Sequence, residues 1–158
     1  MADIDVKHVW GLMEKISFAM LTTWTGDKLR ARPMDARVRP KQGVIYCLTD
    51  ARAGKDEEIA KYPKVMLAFA DAGSMKFVSL AGHAEVSNDR AKIKELWEPT
   101  AKAFWDSPDN PNIRLITITP DSAEFWDSPG TVISFAKMAF AAATGAKPEL
   151  GENRKVAM

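Results

Sequence analysis

Residues 17–48, SFAMLTTWTGDKLRARPMDARVRPKQGVIYCL, decide the fold of this chain. Ser17 to Trp24 is rich in β-branched and aromatic side chains and ends at Thr25-Gly26-Asp27, which is typical of a tight turn. A return strand from Lys28 to Arg39 follows, and a second turn leads to a third strand from Val44 to Leu48. Strands joined by such short turns run antiparallel, so the sequence predicts an antiparallel sheet.

The rest of the chain continues this pattern, with helices as insertions and flanks. Gly82 lies inside the longest predicted strand and indicates a β-bulge or a close approach of another backbone. The fold predicted from this order is mainly β, a sheet that closes as a barrel with flanking helices, and not a parallel dinucleotide-binding sheet. Further strands are predicted over 64–70, 75–87 and 113–127, the last as one or two strands across Pro120, and helices over 4–16, 55–60, 89–105 and 131–144.

Length and composition limit the kind of protein. The 158 residues predict one domain over 1–144, and the Gly-, Pro-, Glu- and Lys-containing segment 145–158 is expected to be a tail or a partner-wrapping arm. With 22 Lys and Arg against 21 Asp and Glu, the net charge of +1 argues against a function that depends on bulk charge. The single Cys47 forms no internal disulfide and no thiolate zinc cluster, which favours a reducing, cytoplasmic location. We expect no membrane span, because no apolar run reaches about 20 residues.

Several common catalytic motifs are absent from the sequence. It contains no G-x-G-x-x-G, no P-loop, no G-x-S-x-G and no H-E-x-x-H. His8 and His83 are far apart in sequence and have no Cys or carboxylate partners at ligand spacing, so no metal site is predicted.

The most unusual local feature is a basic stretch. Six of the fourteen positions from 28 to 41 are Lys or Arg, and only Asp35 offsets them. Such a stretch is either a solvated outer strand, with side chains that extend into water, or an anion site. Nucleic-acid binding is disfavoured, because the stretch lacks the interleaved aromatic residues that stack on bases.

A second feature favours the anion site. At 49–55 a predicted strand ends in a hydroxyl-bearing turn, and a helix begins with Lys55 in its first turn. A lysine is mildly unfavourable beside a helix N-terminus, at a cost on the order of 0.3–1 kcal/mol. It is better placed there if it meets a bound anion.

These features in this order resemble the pyridoxamine 5′-phosphate oxidase-like, FMN-binding split-barrel superfamily, and within it the general stress protein branch. Four segments carry the resemblance, which covers most of the chain from about Val6 to Asp127. It implies an antiparallel split barrel of Greek-key type, FMN as cofactor, and a homodimer with the flavin at the subunit interface. The segments are ARPMDAR at 31–37, YCLTD at 46–50 followed by Gly54-Lys55, FVSLAGHAEV at 77–86 and AEFWD at 123–127.

The resemblance also implies roles for individual residues. Arg32 and Lys55 would contact the FMN phosphate, with Thr49 hydrogen-bonding nearby and Leu48 and Gly54 in the same segment. From the other strand of the cofactor site, Pro33, Met34 and Asp35 would lie along the flavin ring, and Arg37 would lie near the ring or a substrate. Phe77 and Ser79 would approach the flavin from a neighbouring strand, and Trp126 would reach across from the partner subunit.

Departures from the family pattern narrow the expected function. Gly54 stands where the oxidases themselves have an arginine, Phe77 replaces a glutamine, and their C-terminal Arg-x-His pair is missing, so vitamin B6 oxidation is not expected. The expected function is an FMN-binding general stress protein, an oxidoreductase that acts on a small redox substrate with NAD(P)H or another small redox partner. Two alternatives stay open: a non-catalytic flavin-binding or flavin-sensing protein, and a split barrel that binds haem or deazaflavin.

Overall fold

The computed structural model describes residues 2–129, 131–148 and 151–158. Three short 3₁₀ turns, at Pro40–Gln42, Ala51–Ala53 and Pro99–Ala103, lie between the longer elements. The helices are α1 (Ala2–Ile16), α2 (Lys55–Lys61), α3 (Arg90–Leu96) and α4 (Thr131–Thr144). The strands are β1 (Phe18–Trp24), β2 (Leu29–Asp35), β3 (Arg37–Arg39), β4 (Val44–Asp50), β5 (Lys64–Asp71), β6 (Lys76–Ser87), β7 (Ile113–Asp127) and β8 (Glu152–Ala157).

One antiparallel sheet contains all of these strands, in the order β2-β1-β5-β6-β7-β4-β3, with β8 paired to β7. Its two ends are parts of one segment, because β2 pairs with β1 and β3 pairs with β4, and only Ala36 separates β2 from β3. The segment from Leu29 to Arg39 therefore connects both edges, and the sheet curls into a split barrel with flanking helices. This confirms the fold class predicted from the sequence.

Gly82 lies at an irregularity in the pairing of β6 with β7. Ala81 pairs with Ser122 whereas Gly82 pairs with Pro120, so Asp121 is the extra residue of a β-bulge. A Cβ atom on Gly82 would lie 2.5 Å from the carbonyl oxygen of Thr119. The glycine therefore allows the close approach of two backbones, and β7 continues through Pro120 as a single strand.

The helix predicted over 89–105 is shorter in the structure. Asp89 caps α3, accepting a hydrogen bond of 3.1 Å from the backbone N–H of Lys92, as expected for an N-cap. The helix ends at Leu96, because Pro99 restricts the preceding Glu98 to an extended conformation. The prediction of one helix through Trp105 is therefore wrong, and residues 97–112 connect α3 to β7.

The segment 145–158, expected to be a tail or arm, also differs. Residues 152–157 form β8, which pairs with β7 over 122–127. Val156 is buried in the barrel core, and Arg154 forms an ion pair of 3.0 Å with Asp5 of α1. Glu152–Ala157 is therefore a strand of the sheet. Its side chains alternate as in other strands: Val156 points into the core, and its neighbours Lys155 and Ala157 are exposed.

The core fills the inside of the barrel and is closed at one end by α1. Val9 and Met13 of this helix are fully buried with the inward side chains of the sheet, among them Leu21, Leu67 and Phe125. A second buried cluster, centred on Ile93 and Ile113, joins α3 to β7. Among the described residues, no helix is both long and apolar enough to cross a membrane.

The outer face of the sheet is unusually apolar for an exposed surface. On β1, Phe18, Met20 and Trp24 are 63%, 41% and 38% exposed, and Met66 of β5 is 42% exposed. Helix α4 also exposes apolar side chains, namely Ile133, Phe135 and Phe140. Exposed apolar patches of this kind commonly mark contact surfaces.

The bulge gives a stability prediction. We expect Gly82→Ala to lower the free energy of unfolding by about 1–3 kcal/mol, because the new methyl group must displace backbone atoms. Gly11→Ala is the matched control: nothing lies within 4 Å of its Cβ position on α1, so this change should raise stability by about 0.5–1 kcal/mol. Urea denaturation followed by circular dichroism measures both. Equal effects of the two substitutions would contradict the close approach at Gly82.

Candidate functional site

A cleft of about 830 Å³ lies where the chain bends between β2 and β3. Its walls are the residues around this bend, the end of β4, the start of β1 and the connection from α3 to β7. The volume is in the range of small-molecule sites, about 300–1,000 Å³. The lining residues are Glu14, Ser17, Phe18, Pro33, Met34, Asp35, Ala36, Arg37, Val38, Arg39, Leu48, Thr49, Asp50, Lys55, Glu98, Thr100, Ala101, Phe104 and Trp105.

One end of the cleft carries a buried positive charge. Lys55 is only 9% exposed, and its Nζ donates a hydrogen bond of 3.0 Å to Oγ1 of the buried Thr49. Burial lowers the pKa of Lys55, and the nearby positive charges of Arg32 and Arg30 lower it further. Within the described part of the chain Lys55 forms no ion pair, so its charge is stabilised by a hydroxyl group and by no direct carboxylate contact.

Arg32 lies beside this lysine but is already paired. Its guanidinium donates to Oγ1 of Thr23 at 3.0 Å and forms an ion pair of 3.2 Å with Glu58 of α2. This places a second cation behind Lys55 without exposing it to the cleft. The positive potential at this end therefore comes from both residues, while Lys55 alone of the two lines the cleft.

The turn from β4 into α2 is held by a carboxylate. Asp50 accepts hydrogen bonds from the backbone and side chain of Arg52, at 2.8 and 2.7 Å. These hydrogen bonds hold the pKa of Asp50 well below its usual range. Gly54 follows with φ of +74°, a left-handed conformation that favours glycine and turns the chain into α2. Gly54 thus shapes the turn, and it is not among the lining residues.

The middle of the cleft is apolar. Buried Met34 and Val38 come from the two sides of the bend, Leu48 from β4, and exposed Phe18 stands at the rim. The bend itself is fixed by a backbone hydrogen bond of 2.9 Å from the N–H of Ala36 to the carbonyl of Ser17. A flat, apolar portion of a ligand would meet these walls without burying unpaired polar groups.

At the other end, Arg37 is held between two carboxylates. Its guanidinium lies 2.8 Å from Asp35 and 2.5 Å from Glu98, and its side chain is 10% exposed. On β4 the partner of Arg37 is Tyr46, three residues before Thr49. Three residues of a strand span about 10 Å, so Tyr46 and Thr49, which lie at the two ends of the cleft, are roughly that far apart along β4.

Residues 98–105, which we call the strap, run across the cleft between these ends. Glu98 attaches its start to Arg37, and Trp105 attaches its end, because the indole Nε1 donates to Oδ2 of Asp50 at 3.1 Å. Between them Phe104 is 77% exposed, and its ring centroid lies 5.9 Å from that of Trp105. The strap was not predicted as part of the site. The signal for it is Pro99, which cannot lie inside the helix predicted there.

The structure brings together seven of the twelve predicted site residues and separates the others. Arg32 and Gly54 lie next to the cleft, as described above. Phe77, Ser79 and Trp126 lie on the outer face of the sheet: Ser79 pairs with Ala68, which pairs with Met20, which pairs with Pro33. Ser79 is therefore three strands, about 14 Å, from the cleft within one chain. The seven lining residues are Pro33, Met34, Asp35, Arg37, Leu48, Thr49 and Lys55.

Other reactive side chains do not line the cleft. Burial raises the pKa of Cys47 to about 12, so its thiol stays protonated at neutral pH. His8 contacts Asp127 at 2.8 Å in a second, smaller cavity, and His83 contacts Asp121 at 3.1 Å on the surface. Burial favours the neutral form of Asp127, but the ion pair with Lys76 outweighs it and lowers the pKa of Asp127. Neither histidine offers a ligand or base to the cleft.

Comparison with known proteins identifies related chains. Residues 4–149 match the family described as "Pyridoxamine 5'-phosphate oxidase like". None of the curated proteins matches the sequence. A putative general stress protein 26 from Jannaschia sp. CCS1 superposes with a TM-score of 0.79 at 26% identity, covering 98% of this chain and 99% of that one.

Two further solved structures share the fold. A Clostridium acetobutylicum protein related to general stress protein 26 superposes with a TM-score of 0.73 at 16% identity, over 100% of this chain and 97% of that chain. The general stress FMN/FAD binding protein of Xanthomonas citri superposes with a TM-score of 0.69 at 24% identity, over 80% and 90% of the two chains.

The buried lysine gives a prediction that is independent of any ligand. A lysine whose pKa is lowered by folding destabilises the native state wherever it is charged in both states, and the penalty fades as pH rises through its folded pKa toward 10.5. Lys55→Met should therefore raise the free energy of unfolding at pH 7 in ligand-free protein, and the gain should shrink by pH 10. Lys61→Met, an exposed site on the same helix, is the matched control and should change little. Urea denaturation at both pH values measures this; a loss of stability in Lys55→Met at pH 7 would contradict it.

Proposed function

Because the chain belongs to the pyridoxamine 5′-phosphate oxidase-like family, we propose that its cleft binds a flavin, specifically FMN, and that it is an oxidoreductase of the general stress type acting on a small redox substrate. The observation that carries this proposal is the buried Lys55, a cation with a hydroxyl partner and no ion pair among the described residues. A phosphate group bound beside Lys55 would compensate this charge.

The remainder of the cleft fits the rest of such a ligand. A flavin mononucleotide has a doubly charged phosphate at one end and a flat, largely apolar ring system at the other. The chain offers Lys55 and Thr49 at one end of the cleft and the apolar side chains of Met34, Val38 and Leu48 further along. These residues fit one terminal phosphate followed by a planar group, which favours FMN over a flavin with no phosphate.

In an oxidoreductase of this kind the bound flavin supplies the electron or hydride transfer, and the protein sets binding, orientation and local charge. Lys55 and Thr49 would hold the phosphate, and the rigid bend at Ala36 would position the backbone of residues 33–36 beside the ring. The positive charge of Arg37 is balanced by Asp35 and Glu98, and these ion pairs would fix the shape of this end of the cleft and exclude water from it. The lining residues of the cleft include no cysteine or histidine.

We further propose that the protein is a homodimer with the flavin at the subunit interface. The outer face of the sheet exposes Met20, Trp24 and Met66, and Phe77 pairs with Trp126 on the same face. Phe18 lies on this face and also lines the cleft, so the cleft opens next to the apolar surface. A partner seated there would bring its own Phe77, Ser79 and Trp126 toward the cleft, which would reconcile their predicted role with their distance within one chain.

The visible spectrum of the purified protein tests the function directly. We expect the absorption bands of an oxidised flavin, either as isolated or after addition of FMN, and release of FMN on heating. NAD(P)H oxidation by the loaded protein then distinguishes an enzyme from a flavin carrier. A colourless protein that does not bind added FMN would contradict the proposal.

A comparison of FMN with riboflavin, which lacks the phosphate, tests the role of Lys55. Loss of a charge-assisted hydrogen bond costs roughly 1.5–3 kcal/mol, so Lys55→Met should weaken FMN binding about 10- to 100-fold. Riboflavin binding should be almost unchanged, and Lys61→Met should affect neither ligand. Fluorescence titration gives all the dissociation constants. Equal losses for FMN and riboflavin in Lys55→Met would mean that Lys55 does not bind the phosphate.

The proposed dimer is tested by a charge on the outer face. Met20→Asp should shift the protein from dimer to monomer in sedimentation equilibrium, because a carboxylate would be buried in an apolar interface. Ile4→Asp on α1, where the side chain is 71% exposed, is the control and should leave the mass unchanged. Circular dichroism verifies that both variants fold. A monomeric wild type, or a Met20→Asp variant with the wild-type mass, would contradict the dimer.

A further inference from the structure

The end of the cleft around Arg37 has an excess of negative charge. Apart from the Lys55 and Asp50 end, the charged residues that line the cleft are three acids and two bases, a net charge of −1. At the other end the two charged lining residues, Lys55 and Asp50, balance each other, so the excess of negative charge lies at the Arg37 end. The acids are Glu14, Asp35 and Glu98, and the bases are Arg37 and Arg39.

The carboxylates at the Arg37 end are also more exposed than the arginine that they pair with. The Arg37 side chain is only 10% exposed, whereas its two partners, Asp35 and Glu98, are 38% and 56% exposed. A molecule that enters the cleft here therefore meets carboxylate oxygens before it meets the guanidinium. An anion would have to break an ion pair of 2.8 or 2.5 Å to reach Arg37, while a cation or a hydrogen-bond donor can use the outer carboxylate oxygens directly.

The strap adds an aromatic surface to the same cleft. Phe104 is 77% exposed although it lies on a segment attached at both ends, through Glu98 to Arg37 and through Trp105 to Asp50. Attachment at both ends restricts the backbone that carries Phe104, which reduces the entropy that a ligand must remove on binding. The ring of Phe104 offers a face to a planar molecule, and its quadrupole favours a positive charge over a negative one.

From these two observations we infer that the space between Arg37 and the strap is a substrate subsite for planar aromatic molecules that are neutral or positively charged, and that it disfavours aromatic anions. As a substrate site it rests on the proposed flavin function, since a bound flavin would occupy the remainder of the cleft. The selection by charge depends only on Asp35, Glu98 and Phe104, so it can be measured on the protein with or without flavin.

Three small probes with the same ring test the selection. Benzamidinium is a cation, benzamide is neutral and benzoate is an anion. Binding of each can be followed by isothermal titration calorimetry in the free protein or by the flavin absorption bands in the loaded protein. We expect benzamidinium to bind at least tenfold more tightly than benzoate, with benzamide between them. The ratio should fall as salt is added, because a charge preference at a partly exposed site is screened.

Variants assign the preference to named residues. Glu98→Gln keeps a hydrogen-bond acceptor for Arg37 and removes one negative charge, so it should reduce the ratio of benzamidinium to benzoate affinity several-fold. Glu95→Gln is the matched control: Glu95 is 60% exposed on α3 and pairs with Lys92, so its removal should leave the ratio unchanged. Phe104→Ala should weaken benzamidinium and benzamide binding without unfolding the chain, because its ring is exposed.

The possible results separate this inference from the flavin proposal. Benzoate that binds as tightly as benzamidinium, or equal effects of Glu98→Gln and Glu95→Gln, would overturn the subsite even if FMN binds. Failure to bind FMN, together with the expected order of the three probes in the free protein, would overturn the flavin proposal and leave the charge selection in place. Absence of binding for all three probes in both forms would overturn the subsite.

Discussion

The segment from Leu29 to Arg39 pairs with both edges of the sheet, and the rest of the structure depends on this pairing. Its first part is the edge partner of β1, its last part is the edge partner of β4, and Ala36 is the only residue between them. A sheet whose two edges share one segment must curl, which removes most of its free edge. It must also open at the bend, because Ala36 makes its hydrogen bond to Ser17 and not to a neighbouring strand. The cleft forms at this opening.

The same bend explains why the two ends of the cleft differ in charge. Before the bend, Arg32 faces α2 and stands behind Lys55; after it, Arg37 faces the strap and binds two carboxylates. The basic stretch at 28–41 is therefore divided by the fold into two environments. One leaves a buried positive charge without a carboxylate partner, at a cost in stability that a bound phosphate would offset. The other compensates its arginine fully and presents acids to the ligand.

Much of the fold could be predicted because local signals agreed with it. Turn residues at 25–27 fixed the first hairpin, and Gly82 indicated the bulge that the structure contains. The prediction of a helix over 89–105 was wrong because Ala101, Phe104 and Trp105 keep a helical spacing while Pro99 interrupts the backbone. Hydrophobic periodicity does not show that proline lacks the N–H that a helix needs. β8 was missed because a six-residue edge strand with one buried side chain, Val156, has almost no hydrophobic pattern to detect.

The candidate site could likewise be predicted only in part. Seven of the predicted residues line one cleft, because they come from two segments, 33–37 and 48–55, that the barrel brings together. The strands β1 and β5 separate Phe77 and Ser79 on β6 from the cleft-lining strand β2, and Trp126 pairs with Phe77. No sequence pattern within one chain shows whether a second copy supplies these residues to the cleft. The strap residues depend on a connection whose path is set by long-range contacts, Glu98 with Arg37 and Trp105 with Asp50, that leave no local signal.

The central claim is that the buried Lys55 and Thr49 form the phosphate end of a flavin site. A crystal structure of the protein with FMN tests this most directly. We predict that phosphate oxygens lie within hydrogen-bond distance of Lys55 Nζ and Thr49 Oγ1, with the ring beside residues 33–37. Electron density for FMN elsewhere on the protein, or a phosphate that contacts neither side chain, would contradict it.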